Sequence, residues 1–333
     1  MNAATLCEAL RQSRGFVHKR DLYDVMSALA GDGWAAAHVP IGDDCAAIPD
    51  GDGYLLLAIE GFVEDFVQRS PWFAGYCGVM VNVSDIYAMG GRPVAVVDAL
   101  WSRGMEPGAE ILAGLAAGAR RYAVPLVGGH SNNRAASGQL AVAILGRATR
   151  LLSSFAAKAG DQLVMAVDLR GHYEEPFPYW NASSDAPALR LREDLEVLAL
   201  LAESGLCAAA KDISMAGVLG TTLMMLECSR VGARINVGSM PRPACADDDA
   251  LFRWLMAFPS YGFVLSVDPA HVPAVMQRFA ARDIAAAVIG EVTAAPQAVL
   301  SHHGDTALLW DFALRPFMAA AGRRSHSPET FHA

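Results

Sequence analysis

Apolar positions recur along this chain at two spacings, helical and alternating, and their succession predicts a mixed α/β protein. Leu6 and Leu10, then Leu22, Val25, Met26 and Leu29, predict helix over 4–31, broken at Gly15 inside the basic stretch RQSRGFVHKRD. Residues 37–48 and 54–60 read as two strands joined by Asp50-Gly51-Asp52-Gly53, a hairpin connection. A helix is predicted from Pro71, a favourable first-turn residue, to Gly90-Gly91. RPVAVVDALW then reads as a buried strand, and a helix runs from near Pro107 to Arg120-Arg121. PLVGGHS and GQLAVAILGRA are strands.

The second half repeats this vocabulary. DQLVMAVDL, GARINV, YGFVLSV and AAVIGEV read as strands, and 188–203, DDDALFRWLMAF and 270–282 as helices. AAAKDISMAGVLGTTLMMLECSRVG reads as strand, turn and helix, with Met224-Met225 in the helix core. A boundary near 150–160 gives domains at 1–155 and 156–320, followed by a polar tail at 321–333 that is expected to be disordered. Within the second of these lies 170–187, long, aromatic and aperiodic, as functional loops often are. There Trp180 and Asn181 either meet a substrate or pack within their own domain.

Composition narrows the function classes. With 333 residues and a formal charge of −9, the chain is a poor match for nucleic acid or an anionic membrane. An anionic small molecule would need a local basic site or a metal ion. The six cysteines are scattered and read as reduced thiols, Cys7 among them as core. Glu8 and Arg11 occupy the place of a signal peptide's apolar centre, and no apolar run is long enough to span a bilayer, so a cytoplasmic location is expected.

Four clusters carry candidate chemistry. Asp43-Asp44 is either a turn or a metal and phosphate clamp, with Glu60 at the end of the following strand. Asn82 and Asp85 lie about one helical turn apart; Asp85 either faces solvent or ligates a metal, since buried carboxylates are normally paired or coordinate ions. Gly128-Gly129 forms either a plain turn or a backbone-lined anion site. KDISMAG places Asp212 ahead of a helix N-terminus suited to phosphate. Lys19 either reaches a phosphate or belongs to a solvated basic face, and His130 is the candidate general base because free imidazole titrates near neutrality. His302-His303, in a loop with Gly304-Asp305, reads as surface rather than as a metal site. The phosphate signatures G-x-x-x-x-G-K-[ST] and a properly placed G-x-G-x-x-G are missing.

In order and approximate spacing, IGDDCAAI, VNVSDIYAMGGRPVAVVDAL, LVGGHS and KDISMAGVLG resemble the aminoimidazole ribonucleotide (AIR) synthetase, or PurM-like, superfamily. That superfamily includes thiamine-monophosphate kinase, selenophosphate synthetase and a hydrogenase-maturation dehydratase. The resemblance covers roughly 35–295 and is strongest to a synthetase-related branch. It implies an α/β (α+β) two-domain fold: an N-terminal sheet that pairs with its copy into a barrel-like homodimer core, and a C-terminal α/β sandwich. It also implies ATP and Mg²⁺ in the cleft between the halves. Asp43, Asp44, Glu60 and Asp85 would hold metal, while Asp43, Asp44, Asn82, Gly128, Gly129 and Asp212 would bind nucleotide.

The departures bear on substrate. Glu60 stands where the kinase branch has Asp, and GGH replaces its GGD, closer to selenophosphate synthetase. Met215 replaces a second acid, and FPSYGF (258–263) carries none of the acids of the kinase stretch, which argues against thiamine phosphate. The expected function is an ATP- and Mg²⁺-dependent enzyme that phosphorylates or otherwise activates an oxygen of a small metabolite. The alternative is a nucleotide-binding regulatory protein with little catalysis.

Overall fold

The computed structural model describes residues 1–30 and 39–318, and its strands build two principal sheets. The first runs in the spatial order β1 (Ala46–Asp50), β2 (Gly53–Phe62), β5 (Gln139–Ala148), β3 (Arg92–Trp101) and β4 (Leu126–Asn132). Its neighbours are antiparallel except β3 and β4. The second runs β14 (Asp305–Asp311), β13 (Gln297–His302), β10 (Gly232–Asn236), β12 (Ala285–Thr293), β6 (Gln162–Val167), β11 (Gly262–Val267) and β9 (Ala209–Asp212). There β10 and β13 are the parallel pair.

The first sheet packs its inner face on α4 (Pro71–Ala88), which lies beside α5 (Met105–Tyr122). The two helices approach closely because α5 carries Gly114: a Cβ there would sit 1.9 Å from the Trp72 carbonyl oxygen. On its other sides α4 meets α6 (Ala188–Glu203) and β9. From Phe73 to Ala88, every residue of α4 except Val81 is therefore buried. A helix apolar almost all round is what such a sandwiched position demands. The short α3 (Glu64–Arg69) leads into α4 from β2.

The second sheet is covered on both faces. In β6, Val164 and Ala166 join the core shared with α4, α6 and α9 (Val272–Ala280), whereas Leu163, Met165 and Val167 join a core with α7 (Gly217–Ser229) and α8 (Asp248–Leu255). Burial at both parities turns an alternating pattern into a continuous apolar run. The outer core also receives Leu6, Cys7 and Leu10 of α1 (Ala3–Gln12) and Phe16 of α2 (Arg14–Ala30). The start of the chain thus packs with the second sheet.

Four expectations change. The helix over 4–31 is two helices broken at Ser13, with Gly15 inside the second. The strand expected over 37–48 begins only at Ala46, and residues 31–38 and the tail from 319 lie outside the described residues. Segment 170–187 contains a ribbon of β7 (His172–Glu174) and β8 (Tyr179–Asn181). Trp180 and Asn181 are buried within it: the Trp180 indole donates to the Asp168 carbonyl at 2.9 Å, and the Asn181 amide donates to Glu174 at 2.6 Å. Finally, 302–305 is the turn of the β13–β14 hairpin, exposed at His303, Gly304 and Asp305 as expected of surface, but not at His302. Ala298, Leu300 and His302 share the buried face of β13 by simple alternation, so His302 is only 4% exposed. Among the described residues no helix is long and apolar enough to cross a membrane.

Candidate functional site

A cleft of ≈ 540 Å³ is lined from both sheets by α2, the loop at 41–44, the end of β2, α4 and the end of β9. Three carboxylates converge there. Asp85 comes from the last turn of α4, Asp212 from the last position of β9, and Asp44 from the loop before β1. One oxygen from each lies within 4.8 Å of the other two. Asp85 is 6% and Asp212 3% exposed, and one oxygen of each is buried without a hydrogen-bond partner. Alternation along β9 sets Asp212 on the same face as Ala210, the face that packs α4.

Asp43 and Asp44 are neighbours with different work. Asp43 accepts bonds from the Ser153 hydroxyl (2.7 Å), the Ser154 hydroxyl (2.7 Å) and the Ser154 amide (3.0 Å). Those contacts tie the loop to the segment connecting β5 and β6 and use up both carboxylate oxygens. Asp44 instead faces the cleft, where Lys211 Nζ lies 2.5 Å from it and the Asp212 amide donates at 3.3 Å. The Asp44 and Lys211 side chains are each 5% exposed, so this is a buried ion pair. It neutralises one of the three acids and leaves two.

The electrostatics follow from that imbalance. Burial, then the charges of Asp212, Glu60 and Asp44, hold the Asp85 carboxyl well above the usual carboxylate range. Burial and Asp44 push Asp212 in the same direction. For Lys211, burial opposes the ammonium, but Asp44 and Asp43 outweigh it and hold the group above its ordinary value. Lys19, half-buried on α2, is pushed down by burial and by the like charge of Lys211, against the pull of Glu60, Asp212 and Asp44. Lys19 reaches this place because α2 approaches the start of α7 closely: a Cβ on Gly15 would sit 2.7 Å from Ala216 Cα.

The cleft thus gathers Lys19, Asp43, Asp44, Glu60, Asp85 and Asp212 of the residues expected to act. Glu60 sits on β2 in register with Val142, Asp98 and Gly129, on the inner face of the sheet. His130 falls in the next row, with Ala99, Ala141 and Gly61, and therefore on the outer face. Gly128, Gly129 and His130 all lie on β4, exposed along its whole length, and none lines the cleft. Asn82 does not line it either; its amide donates to the Gly78 and Val142 carbonyls at 2.8 and 3.0 Å and pins α4 to β5.

Other lining groups are not named as site residues from the sequence, although RQSRGFVHKR, 170–187 and 258–263, the stretches expected to set specificity, supply several of them. Lys211 was legible in principle, as the cation beside Asp212 in KDISMAG. His18 lines the cleft one residue before Lys19. In the same cleft, Phe62, Phe66, Tyr179 and Phe258 form an aromatic wall, with Tyr179 edge-on to Phe66 and Phe258 at centroid distances of 4.8 and 4.9 Å. Its members come from four separate elements, a grouping only the fold creates.

The donor set fits a hard divalent cation. Three clustered carboxylates, two with an unpartnered buried oxygen, supply the oxygen-only chemistry that Mg²⁺ prefers, and a cation there relieves like-charge repulsion.

Comparison with known proteins agrees with this architecture. The family described as "AIR synthase related protein, N-terminal domain" matches residues 42–148, and its C-terminal counterpart matches 167–303. "Uncharacterized protein sll0787" of Synechocystis sp. is 44% identical over 319 residues, covering 94% of this chain and 97% of that protein. Among solved structures, Thermotoga maritima PurL complexed with ATP superposes with a TM-score of 0.69 at 18% identity, covering 89% of this chain and 50% of that one. The AaThiL complex with AMPPCP and TMP gives a TM-score of 0.65 at 17% identity, covering 86% and 94%. This chain therefore spans about half of the PurL structure and nearly all of AaThiL. Matched by both family domains over most of its length, the chain belongs to the AIR synthase-related protein family.

Proposed function

We propose that this protein is an ATP- and Mg²⁺-dependent enzyme that phosphorylates, or activates by phosphorylation, an oxygen of a small metabolite. The observation that carries the reading is the Asp44–Asp85–Asp212 cluster, with its unpartnered buried oxygens, at one end of a cleft large enough for a nucleotide and part of a second substrate. Similarity to proteins whose structures hold ATP or AMPPCP supports the nucleotide.

In this reading Asp44, Asp85 and Asp212 hold Mg²⁺, and Glu60 lines the same cleft outside that cluster, where its charge acts on Asp85 and Asp212. When bound, the ion supplies charge neutralisation on the phosphates, the main electrostatic requirement of phosphoryl transfer. The chain's own groups do the positioning. Asp43 fixes the loop through Ser153 and Ser154, Lys211 holds Asp44 in place, and Lys19 offers an ammonium toward phosphate oxygens. The aromatic wall excludes water and receives an apolar or planar part of the acceptor.

A second copy of the chain belongs to the same proposal. The outer face of the first sheet leaves Leu57, Ile59, Val97 and Leu145 exposed, and the β4 edge is unpaired among the described residues. Light scattering on the purified protein measures that state directly. For the activity, nucleotide products are followed chromatographically with Mg²⁺ and with EDTA while candidate acceptors are screened. Mg²⁺-dependent ATP consumption that disappears in Asp44→Asn supports an enzyme. ATP that binds but is returned intact with every acceptor points to a regulatory nucleotide binder.

A further inference from the structure

A second cluster of ligating groups lies away from the cleft, where α8 begins and the β13–β14 hairpin turns. One ligating atom from each of Asp248, His302 and His303 lies within 4.8 Å of the other two, and none of the three lines the acidic cleft. We propose that Asp248, His302 and His303 form a binding site for a borderline transition-metal cation such as Zn²⁺.

Independent observations converge on it. His302 is 4% exposed, yet both of its ring nitrogens are buried without a hydrogen-bond partner. A buried imidazole normally finds a donor or acceptor, and a cation on one nitrogen supplies what the protein does not. The hairpin turn, with left-handed backbone at His303 (φ 52°) and Gly304 (φ 84°), folds His303 back so that the two rings lie 3.9 Å apart. Asp248 is not used as the helix cap, because Asp247 performs it, accepting from the Ala250 amide at 2.8 Å; the Asp248 carboxylate is left to the Met1 amino group.

The donor chemistry selects the ion. Two imidazoles and a carboxylate suit Zn²⁺, Ni²⁺ or Cu²⁺ and differ from the all-oxygen cluster of the cleft. His303 is exposed and Asp248 partly so, which gives an ion and a completing water a route in. The Met1 amino group contacts the Asp248 carboxylate and is the cation a metal would displace. Nearby, the Arg242 guanidinium is engaged by the Val237 carbonyl at 2.8 Å. Since its ligands come from the first turn of α8 and the β13–β14 turn, the ion would cross-link helix and hairpin, a stabilising role.

The test uses the full chain, stripped with EDTA and returned to buffer with excess Mg²⁺ to fill the oxygen-only cleft. Co²⁺ is titrated as the spectroscopic probe, Zn²⁺ is used to displace it, and the melting temperature is read with and without Zn²⁺. We expect one equivalent of Co²⁺ with a visible ligand-field band that Zn²⁺ abolishes, and a higher melting temperature in Zn²⁺. Both signals are lost in His303→Ala and in Asp248→Asn, whose accessible positions leave the core intact, and both persist in Asp85→Asn. Failure of the wild type to take up Co²⁺, or identical Co²⁺ spectra and Zn²⁺ shifts in wild type and His303→Ala, overturns the proposal.

Discussion

Strands β9 and β4 both end in polar residues and meet opposite fates. Each is short, follows an apolar run, and carries polar residues of the kind that mark sites: AAKD in one, LVGGHSN in the other. Every residue of β9 is buried, and every residue of β4 is exposed. A charge at the end of a strand covered on both faces must be compensated, so Lys211 and Asp212 become part of an interlocked acidic centre. The same polarity on an open edge demands nothing of its own chain and is left to water or to a second copy. Burial, more than residue type, decides which polar strand end becomes a site.

The largest effect expected from this contrast is at Asp85. Asp85→Asn removes a cation ligand and should weaken Mg²⁺-dependent nucleotide binding by at least about 100-fold. The same change relieves a buried carboxylate with an unpartnered oxygen, so the metal-free protein should gain about 1–3 kcal/mol in urea unfolding. A merely structural Asp85 would lose stability instead.

Next comes Lys211. Lys211→Met strands Asp44 as a buried charge and should cost about 3–5 kcal/mol by the same urea titration, since breaking one half of a buried pair leaves the other uncompensated. Asp43→Asn should cost less, about 1–3 kcal/mol, because Ser153 and Ser154 still meet a polar side chain.

The pH dependence has a definite sign. Burial and like charges raise Asp85 and Asp212, so the folded chain keeps protons that the unfolded chain releases near pH ~4. Their contribution is full below the ordinary carboxylate value and is lost as pH rises through the raised folded values. Melting curves in EDTA should therefore fall more steeply with rising pH for wild type than for Asp85→Asn, and Mg²⁺ should flatten the difference.

The smallest effect is on β4. His130→Ala should change stability by no more than about 0.5 kcal/mol and leave Mg²⁺-nucleotide affinity of the cleft unchanged. A large loss of nucleotide affinity in that variant would break the contrast between the two strands.

Much of the fold could be read from periodicity because most elements are amphipathic or bounded by Gly and Pro. Helix 188–203 and the two halves of strand-and-helix vocabulary came out of pattern alone. The β13–β14 hairpin did not: QAVLSH alternates weakly, and two adjacent histidines look like surface. The acidic centre was partly legible. Asp85, an acid in an apolar helix, and the Asp43-Asp44 pair both stood out, but sequence could not divide the pair into a hydrogen-bonded anchor and a cleft ligand. That division depends on Ser153 and Ser154, 110 residues further on. Nor could spacing reveal the aromatic wall, or the row on β4 that turns His130 outward.

The central claim is that the Asp44–Asp85–Asp212 centre holds Mg²⁺ and, through it, a nucleotide. Calorimetric titration of ATP into the wild type and Asp85→Asn, each with Mg²⁺ and with EDTA, tests it most directly. The account predicts saturable binding only for wild type in Mg²⁺. Equal binding of ATP in EDTA, or by Asp85→Asn in Mg²⁺, would contradict it.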